Sequence, residues 1–219
     1  MGVYSELKKF QKSPEEDDYL IYYVYRKLSR PISALMIKIG LNTFIASLFT
    51  FLSDIFAMYL IYQNHFILAG FFVILAYVFD CCDGEIARYH KSKKKMREDR
   101  MYGAYLDEIL GVLGFFGVIM FLSYKMNEQF LGILAVLGLV MMNFSTYVAK
   151  DIFPKKTEVA KNFEKKIFGN LKGRVGFSGG LQRILIVLAI VFHSALFLFI
   201  FVILANAFWI LKFWVYRKQ

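Results

Sequence analysis

Long apolar runs, separated by clusters of basic residues, constrain this 219-residue chain more than any other feature. A helix that crosses a bilayer needs about 20 mostly apolar residues, because the hydrocarbon core is roughly 30 Å thick and each residue adds about 1.5 Å. The runs that reach or approach this length are Ile39–Tyr62, Phe66–Phe79, Gly103–Tyr124, Gln129–Ala149 and Ile184–Leu211. The last run is long enough for two helices if it breaks at His193-Ser194. The sequence therefore predicts an all-α polytopic membrane protein.

Composition excludes several other classes of protein. Hydrophobic residues make up 58% of the chain and Phe alone occurs 24 times, whereas disordered chains are poor in such residues. The two cysteines, Cys81 and Cys82, are adjacent, so a disulfide-stapled secreted fold is excluded and cytoplasmic free thiols are expected. The net charge of +10 comes from basic residues that lie between apolar runs. We therefore expect these residues to face anionic lipid headgroups, with no nucleic acid partner.

The placement of basic residues predicts the number of crossings, because Lys and Arg collect in short cytoplasmic loops. Every Lys and Arg except Lys125 lies within residues 1–38, 88–100, 150–183 or 212–218. Basic and neutral connections alternate strictly if the chain crosses six times, whereas five crossings would place the C-terminal cluster outside. The pattern predicts six transmembrane helices in the cytoplasmic membrane, with both termini in the cytoplasm.

Residues 1–30 are predicted to form a cytoplasmic N-terminal segment, followed by a six-span domain over residues 31–219. The segment lacks the apolar stretch near Met1 that marks a signal peptide. Within it, Tyr19–Arg30 has the pattern of an amphipathic helix that follows a cluster of acidic residues. Such a helix suits the headgroup plane of a membrane; an ordinary solvated helix is the alternative.

Acidic residues inside the predicted spans indicate a functional site, because a carboxylate is costly to insert into a bilayer. Asp80 and Asp83 lie three residues apart at the cytoplasmic end of the second span, and therefore on one helix face. Asp107 lies at the same level of the third span. Three neighbouring carboxylates repel one another unless a cation lies among them, and oxygen ligands favour Mg²⁺ or Mn²⁺, which bridge to phosphates.

Small and basic residues accompany these aspartates. Gly84 and Ala87 would let a bulky ligand approach the helix, and Arg88 offers a forked donor that suits phosphate oxygens. Metal, small residues and guanidinium together predict a pyrophosphate site at the cytoplasmic membrane surface, with the active site facing the cytoplasm.

The string Asp80-Cys-Cys-Asp83-Gly84-Glu-Ile-Ala87-Arg88, followed by Gly103-x3-Asp107, resembles the signature of the CDP-alcohol phosphotransferase (CDP-alcohol phosphatidyltransferase) family. The resemblance begins at Arg30–Ser33 and extends over the rest of the chain. It implies a six-span membrane enzyme that transfers a phosphoalcohol from a CDP-alcohol to an acceptor hydroxyl and releases CMP. The product would belong to phospholipid or polar-lipid biosynthesis.

The resemblance also implies roles for the matching residues. Asp80, Asp83 and Asp107 correspond to metal-binding aspartates, with Mg²⁺ or Mn²⁺ as the cofactor. The nucleotide-contacting positions are Gly84, Ala87, Arg88 and Gly103. The implied partners are a CDP-alcohol, a hydroxyl acceptor, the lipid bilayer and a second copy of the chain in a homodimer.

Two departures mark the chain as a divergent member of that family. The connection between Arg88 and Gly103 is longer than usual and rich in basic residues. More seriously, Gly111 replaces the last aspartate of the motif, which the family is regarded as using to deprotonate the acceptor. Such a base contributes about 10²–10⁴-fold.

The catalytic base is therefore left unassigned by the sequence. Asp107, Glu108, His90 from the lengthened loop and a phosphate of the substrate are the candidates. Of the adjacent residues Asp107 and Glu108, Glu108 is the less favourable candidate for the base, because adjacent residues of a helix point about 100° apart.

Four further polar residues lie in or beside the spans. Asp54 is about 24 Å along the first span from Lys38 by helical rise, so we expect it to lie outside the site and to pair with Ser53 or Asn143. The basic residues at the cytoplasmic ends of the fourth and fifth spans are Lys150, Arg174 and Arg183. They either bind an anionic acceptor, such as the sugar or inositol phosphates of related family members, or set the topology.

Two alternatives to the enzyme remain open. Gly111 favours a catalytically degenerate relative that binds a nucleotide or serves as an assembly partner in the membrane. Carboxylates within spans also bind the coupling ions of transporters, although retention of the whole Asp-Asp-Gly-Ala-Arg string argues against that interpretation.

Overall fold

The computed structural model describes residues 3–9, 19–92, 100–152 and 177–217, and within these ranges all regular structure is helical. A π-helical turn, Ile21–Tyr25, leads directly into the second α-helix. The α-helices are α1 (Val3–Lys9), α2 (Arg26–Lys38), α3 (Thr43–Tyr62), α4 (Phe66–Ser92), α5 (Arg100–Lys125), α6 (Gln129–Ile152), α7 (Gly179–Val191) and α8 (Ala195–Arg217). The all-α prediction is confirmed for the described residues.

Three of the described helices, α3, α4 and α5, are long and apolar enough to cross a membrane. Three shorter apolar segments follow, at Gln129–Ser145, Gly179–Val191 and Ala195–Leu211. These helices make the chain an integral membrane protein by length and composition. The expected break at His193 is confirmed, since α7 ends at Val191 and α8 begins at Ala195.

Left-handed residues end the helices that precede the tight turns. Gly40, Asn64, Asn127 and His193 have positive φ angles of 79°, 62°, 57° and 45°. The next residue in each case donates its N–H to the carbonyl five positions back, as in Leu41 to Met36 at 2.9 Å and Ser194 to Ala189 at 3.1 Å. This is the Schellman pattern, which reverses the chain within a few residues. It makes α3 and α4, α5 and α6, and α7 and α8 sequential neighbours joined by three-residue turns.

The Gly40 turn moves one predicted boundary. The first span was expected to begin at Ile39, whereas α3 begins at Thr43 because the chain turns at Gly40 and Asn42 then caps the new helix through its side chain. The predicted N-terminal helix also continues beyond Arg30, as far as Lys38. The division predicted between residues 30 and 31 falls inside α2 and stays a prediction.

Helix α4 lies at the centre of the fold, in contact with α2, α3 and α7. Its approach to α7 is close: a Cβ atom added at Gly70 would lie 2.9 Å from a methyl carbon of Val191. Helix α5 packs against α3 and α6, and α6 packs against α8. The aspartates of α4 and α5 are therefore carried by helices that both pack against α3.

A buried polar cluster fastens α2 to the face of α4 that carries Glu85. The Glu85 carboxylate accepts hydrogen bonds from the hydroxyls of Ser29 at 3.0 Å and Ser33 at 2.7 Å, and lies 3.5 Å from Arg26 Nη1. Arg26 also donates to the carbonyl of Cys81 at 3.2 Å. We call these four side chains, Arg26, Ser29, Ser33 and Glu85, the α2–α4 latch. It was not predicted, although three of its members recur at helical spacing on α2.

We expect Glu85→Ala to destabilise the protein more than Ser33→Ala. Removing one partner of a buried ion pair costs about 3–5 kcal/mol, whereas loss of a single hydrogen bond costs about 1 kcal/mol. Thermal unfolding of the two purified variants in detergent measures the difference. Equal melting temperatures would show that the latch contributes no more than one hydrogen bond.

Candidate active site

The predicted motif lies within a single helix, because α4 continues past Phe79 to Ser92. Asp80, Asp83 and Ala87 share one face of α4 by their spacing, while Cys82 and Glu85 are directed towards α2, where Cys82 Sγ lies 3.5 Å from the carbonyl of Ser29. Cys81 and Cys82 are buried free thiols. The two faces of α4 therefore differ in role: the face with Cys82 and Glu85 packs against α2, and the other face carries Asp80 and Asp83.

Asp107 of α5 lies next to the α4 aspartates. The carboxyl groups of Asp83 and Asp107 lie close to each other, and Asp80 is within electrostatic range of Asp107. Asp83 is buried, and its Oδ2 atom has no hydrogen-bond partner among the described residues. Two carboxyl groups that lie this close repel each other when both are ionised, so they need a shared proton or a cation between them.

The oxygen atoms of these aspartates are of the type that a hard divalent ion prefers, but the three side chains are not already arranged around one ion position. Carboxylate oxygens are the donors that Mg²⁺ and Mn²⁺ favour, and the buried Oδ2 of Asp83 lacks a partner of the kind that such an ion would supply. In the part of the chain that the structure describes, however, no three His, Cys, Asp or Glu side chains are grouped as ligands of one ion. Asp80 instead borders an adjacent cavity.

That cavity lies among α4, α5, α6 and α7 and has a volume of about 270 Å³. Gly111 is part of its wall: a Cβ atom added there would lie 3.9 Å from Asp80 Oδ1 and touch nothing else within 4 Å. The missing aspartate side chain therefore leaves space beside Asp80. The lining residues are Tyr77, Asp80, Glu108, Gly111, Val112, Phe115, Phe116, Leu139, Asn143, Gly179, Gln182 and Arg183.

Glu108 lines this cavity, whereas Asp107 does not. Glu108 lies three residues before Gly111 and therefore on the same face of α5. The sequence disfavoured Glu108 because it points away from Asp107, but the space left by Gly111 lies on the Glu108 side. His90 is half-buried in the last turn of α4, with its ring 5.7 Å from that of Tyr89.

The predicted nucleotide-contacting residues lie towards the C-terminal end of α4 and in the first turn of α5. A Cβ atom at Gly84 would lie 3.3 Å from Arg88 Nη1, so the arginine side chain folds back along α4 over the glycine. Ala87 is half-buried, and Gly103 lies in the first turn of α5. Part of the lengthened basic connection is helical, since α4 ends at Ser92, and residues 93–99 lie outside the described ranges.

Arg183 forms a buried ion pair with Asp54, and this corrects two predictions. Arg183 Nη1 donates to Asp54 Oδ1 at 2.6 Å, and the side chains are 6% and 0% exposed. The expected pairing of Asp54 with Ser53 or Asn143 is wrong. The expectation that Asp54 lies outside the site is also wrong, because its partner Arg183 lines the same cavity as Asp80, and Asp54 is within electrostatic range of Asp80.

Aromatic rings hold the Arg183 guanidinium in place. Its central carbon lies 4.1 Å from the centre of the Phe115 ring and 5.9 Å from that of Tyr77. Arg183 is therefore a buried, paired residue rather than a free cation at a helix end. The other two predicted acceptor-binding residues cannot be placed: Lys150 is in α6 with its side chain outside the described part, and Arg174 lies outside it altogether.

Two glycines allow α7 to bring Arg183 to the cavity. Cβ atoms added at Gly179 and Gly180 would lie 2.8 Å from the Tyr77 hydroxyl and 3.2 Å from the Tyr25 ring. The two tyrosine rings pack edge to face, with centroids 4.6 Å apart. The Tyr25 hydroxyl donates to the Gly180 carbonyl at 3.4 Å, and burial raises the pKa of Tyr25 to about 12.

We expect Gly114→Ala to disrupt the ion pair and Gly111→Ala to be tolerated. A Cβ atom at Gly114 would lie 2.8 Å from Asp54 Oδ2, and the short buried aspartate has nowhere to move, whereas Gly111 faces open space. Overpacking of this kind typically costs about 1–3 kcal/mol. Thermal unfolding of both variants in detergent tests this, and equal stability would contradict the crowding of Asp54 against α5.

Comparison with known proteins places the chain in a family. The profile of the CDP-alcohol phosphatidyltransferase family matches residues 41–216, which include α3 to α8 except the final residue of α8, and all the aspartates discussed above. No curated protein sequence matches the chain. The family profile spans more than half of the sequence, and the chain therefore belongs to the CDP-alcohol phosphatidyltransferase family.

Proposed function

We propose that this protein transfers a phosphoalcohol from a CDP-alcohol to an acceptor hydroxyl and releases CMP, in phospholipid or polar-lipid biosynthesis. Membership of the family implies the CDP-alcohol donor and the link to lipid synthesis. The observation that carries the proposal for this chain is the meeting of Asp83 and Asp107 from two different helices, with Asp80 close by.

Asp80, Asp83 and Asp107 would hold a Mg²⁺ or Mn²⁺ ion. When bound, such an ion neutralises the charge of the donor pyrophosphate and of the departing CMP. Gly84, Ala87, Arg88 and Gly103 would contact the nucleotide. The Arg88 side chain lies over Gly84, which is adjacent to Asp83 in α4, and this supports a shared role of the two residues in contacting the nucleotide.

The cavity beside Asp80 would receive the acceptor. The acceptor oxygen attacks the phosphorus that carries the donor alcohol, a new P–O bond forms, and the bond to the CMP phosphate breaks with its electron pair leaving on CMP. Glu108 takes the proton of the acceptor hydroxyl, since it lines the same cavity as Asp80 and Gly111. In this proposal the glutamate replaces the aspartate that the family motif has at position 111.

The proposal includes six crossings of the cytoplasmic membrane, with both termini and the site on the cytoplasmic side. The alternation of basic and neutral connections supports this arrangement. Val24, Leu28 and Leu35 are 44%, 49% and 59% exposed and share one face of the N-terminal helix by spacing. Such an apolar face supports an interfacial position for this helix. The homodimer stays a prediction from the family resemblance.

We expect Mg²⁺ or Mn²⁺ together with CDP to raise the melting temperature of the purified protein, and Asp83→Asn to abolish the effect. The substitution removes a charge and an oxygen ligand from the pair with Asp107. Glu128→Gln is the matched control, because Glu128 lies in the turn at the other end of α5. A shift without CMP release from any CDP-alcohol would instead support the degenerate, nucleotide-binding relative that Gly111 suggests, and absence of both would contradict the nucleotide site.

We expect Glu108→Gln to lower the rate of CMP release by about 10²–10⁴-fold while leaving the KM for the CDP-alcohol nearly unchanged, because a lost base slows proton transfer rather than donor binding. Adding Gly111→Asp to that variant should restore much of the rate, since an aspartate there enters the space beside Asp80. Full activity of Glu108→Gln would assign the proton to Asp107, His90 or a substrate phosphate instead.

A further inference from the structure

The stretch of α4 between the two motif aspartates is bonded to α2. The carbonyl of Cys81, the residue after Asp80, accepts a hydrogen bond from Arg26 Nη1 at 3.2 Å. The next residue, Cys82, places its Sγ atom 3.5 Å from the carbonyl of Ser29. Helix α2 is therefore attached to the motif itself, and not only to the apolar part of α4 that precedes it.

Glu85 of the α2–α4 latch adds a charged contact two positions after Asp83. Its carboxylate accepts hydrogen bonds from the hydroxyls of Ser29 and Ser33 and lies 3.5 Å from Arg26 Nη1. All four side chains of the latch are buried. Because a buried charge is tolerated only while it is paired and hydrogen-bonded, a rotation or slide of α4 against α2 would be strongly unfavourable.

The N-terminal end of α2 is fixed as well. Tyr25 lies directly before Arg26, and its ring packs edge to face on that of Tyr77, with centroids 4.6 Å apart. Its hydroxyl donates to the carbonyl of Gly180 in α7 at 3.4 Å. Helix α2 is thus held by both α4 and α7, which allows it to serve as a fixed support for the motif.

The third aspartate belongs to a helix with other neighbours. Asp107 lies on α5, which packs against α3 and α6, whereas α2 packs against α4. The carboxyl groups of Asp83 and Asp107 lie close to each other. Ions such as Mg²⁺ accept ligand oxygens only within narrow limits, at about 2.0–2.1 Å in near-octahedral geometry. A small rotation of α4 would therefore be enough to separate its aspartates from Asp107.

We infer that Arg26 and Glu85 are positioning residues for the metal site: they fix the orientation of α4 and so hold Asp80 and Asp83 towards Asp107. They act through the backbone of α4 and not by contact with the ion or a substrate. The inference rests on the proposed function only in taking the three aspartates as ion ligands. Helix α2 precedes residues 41–216, the part that matches the family profile, so this role is specific to the present chain.

Binding of Mn²⁺ alone to the full-length protein in detergent tests this. The bound ion is measured by the loss of the electron paramagnetic resonance signal of free Mn²⁺, and the binding that Asp83→Asn abolishes is counted as the site. We expect Glu85→Ala and Arg26→Ala each to raise the dissociation constant of Mn²⁺ at least about tenfold, as loss of the outer-shell partners of metal ligands does. Glu85→Gln keeps polar atoms beside the serines and should retain more affinity than Glu85→Ala.

The two alanine substitutions change the charge of the protein in opposite directions, and this separates positioning from simple electrostatics. If the latch acted only through its charges, loss of Glu85 would weaken Mn²⁺ binding, whereas loss of Arg26 would strengthen it or leave it unchanged. Weaker binding in both variants would support positioning. Unchanged or tighter binding in Arg26→Ala would overturn the inference.

Leu122→Ala controls for a general loss of stability. Leu122 is buried and lies about 22 Å along α5 from Asp107 by helical rise. This variant should have a lower melting temperature and the Mn²⁺ affinity of the unmodified protein; an equal loss of affinity there would overturn the inference.

A neutral variant covers the case in which the charge variants do not fold. Ser29→Ala/Ser33→Ala removes two hydrogen bonds from Glu85 without changing the net charge. It should weaken Mn²⁺ binding more than Ser123→Ala, which removes a buried hydroxyl near the other end of α5. Equal affinities in these two variants would overturn the inference.

CMP release from CDP-diacylglycerol and CDP-choline, measured on the unmodified protein with glycerol and myo-inositol as acceptors, separates this inference from the proposed function. Weaker Mn²⁺ binding in the latch variants without CMP release would uphold positioning and count against transfer. CMP release together with unchanged Mn²⁺ binding in those variants would uphold transfer and overturn the inference. Absence of any Mn²⁺ binding that depends on Asp83 would also overturn it.

Discussion

The buried ion pair between Asp54 and Arg183 is the interaction on which the cavity depends. It joins α3 to α7 across 129 positions of sequence, in a part of the molecule where both side chains are buried. Each charge is tolerable there only because the other is present. Gly114 leaves room for Asp54, and the ring of Phe115 covers the guanidinium of Arg183. Two consecutive residues of α5 therefore contact the ion pair.

Helix α4 supplies the second constraint, because it carries ionisable residues on two faces. The face that bears Glu85 is satisfied inside the protein by α2, through Arg26, Ser29 and Ser33. The face that bears Asp80 and Asp83 is left with an unpartnered oxygen and a carboxyl pair that needs a proton or a cation. A polar group satisfied by its neighbours holds a helix in place, whereas an unsatisfied one is available to a ligand.

Gly111 links the divergence of this chain to its chemistry. Loss of an aspartate at that position removes a reactive group, but it also leaves space beside Asp80, in a cavity whose wall includes Glu108. The shape of the cavity therefore depends on glycines as well as on the side chains that line it. Gly111, Gly114, Gly179 and Gly180 each stand where a larger residue would either fill the cavity or displace a side chain around it.

Much of the fold and part of the site were predictable from the sequence, because they depend on local pattern. The apolar runs, the break at His193 and the spacing of Asp80 and Asp83 on one face follow from helix geometry, and the aspartate motif led to the family. Asp54 and Arg183 offered a signal too, as isolated opposite charges beside apolar runs. Their pairing, the α2–α4 latch and the position of Glu108 were decided only by tertiary structure, because each depends on which helices become neighbours and which faces they turn towards one another.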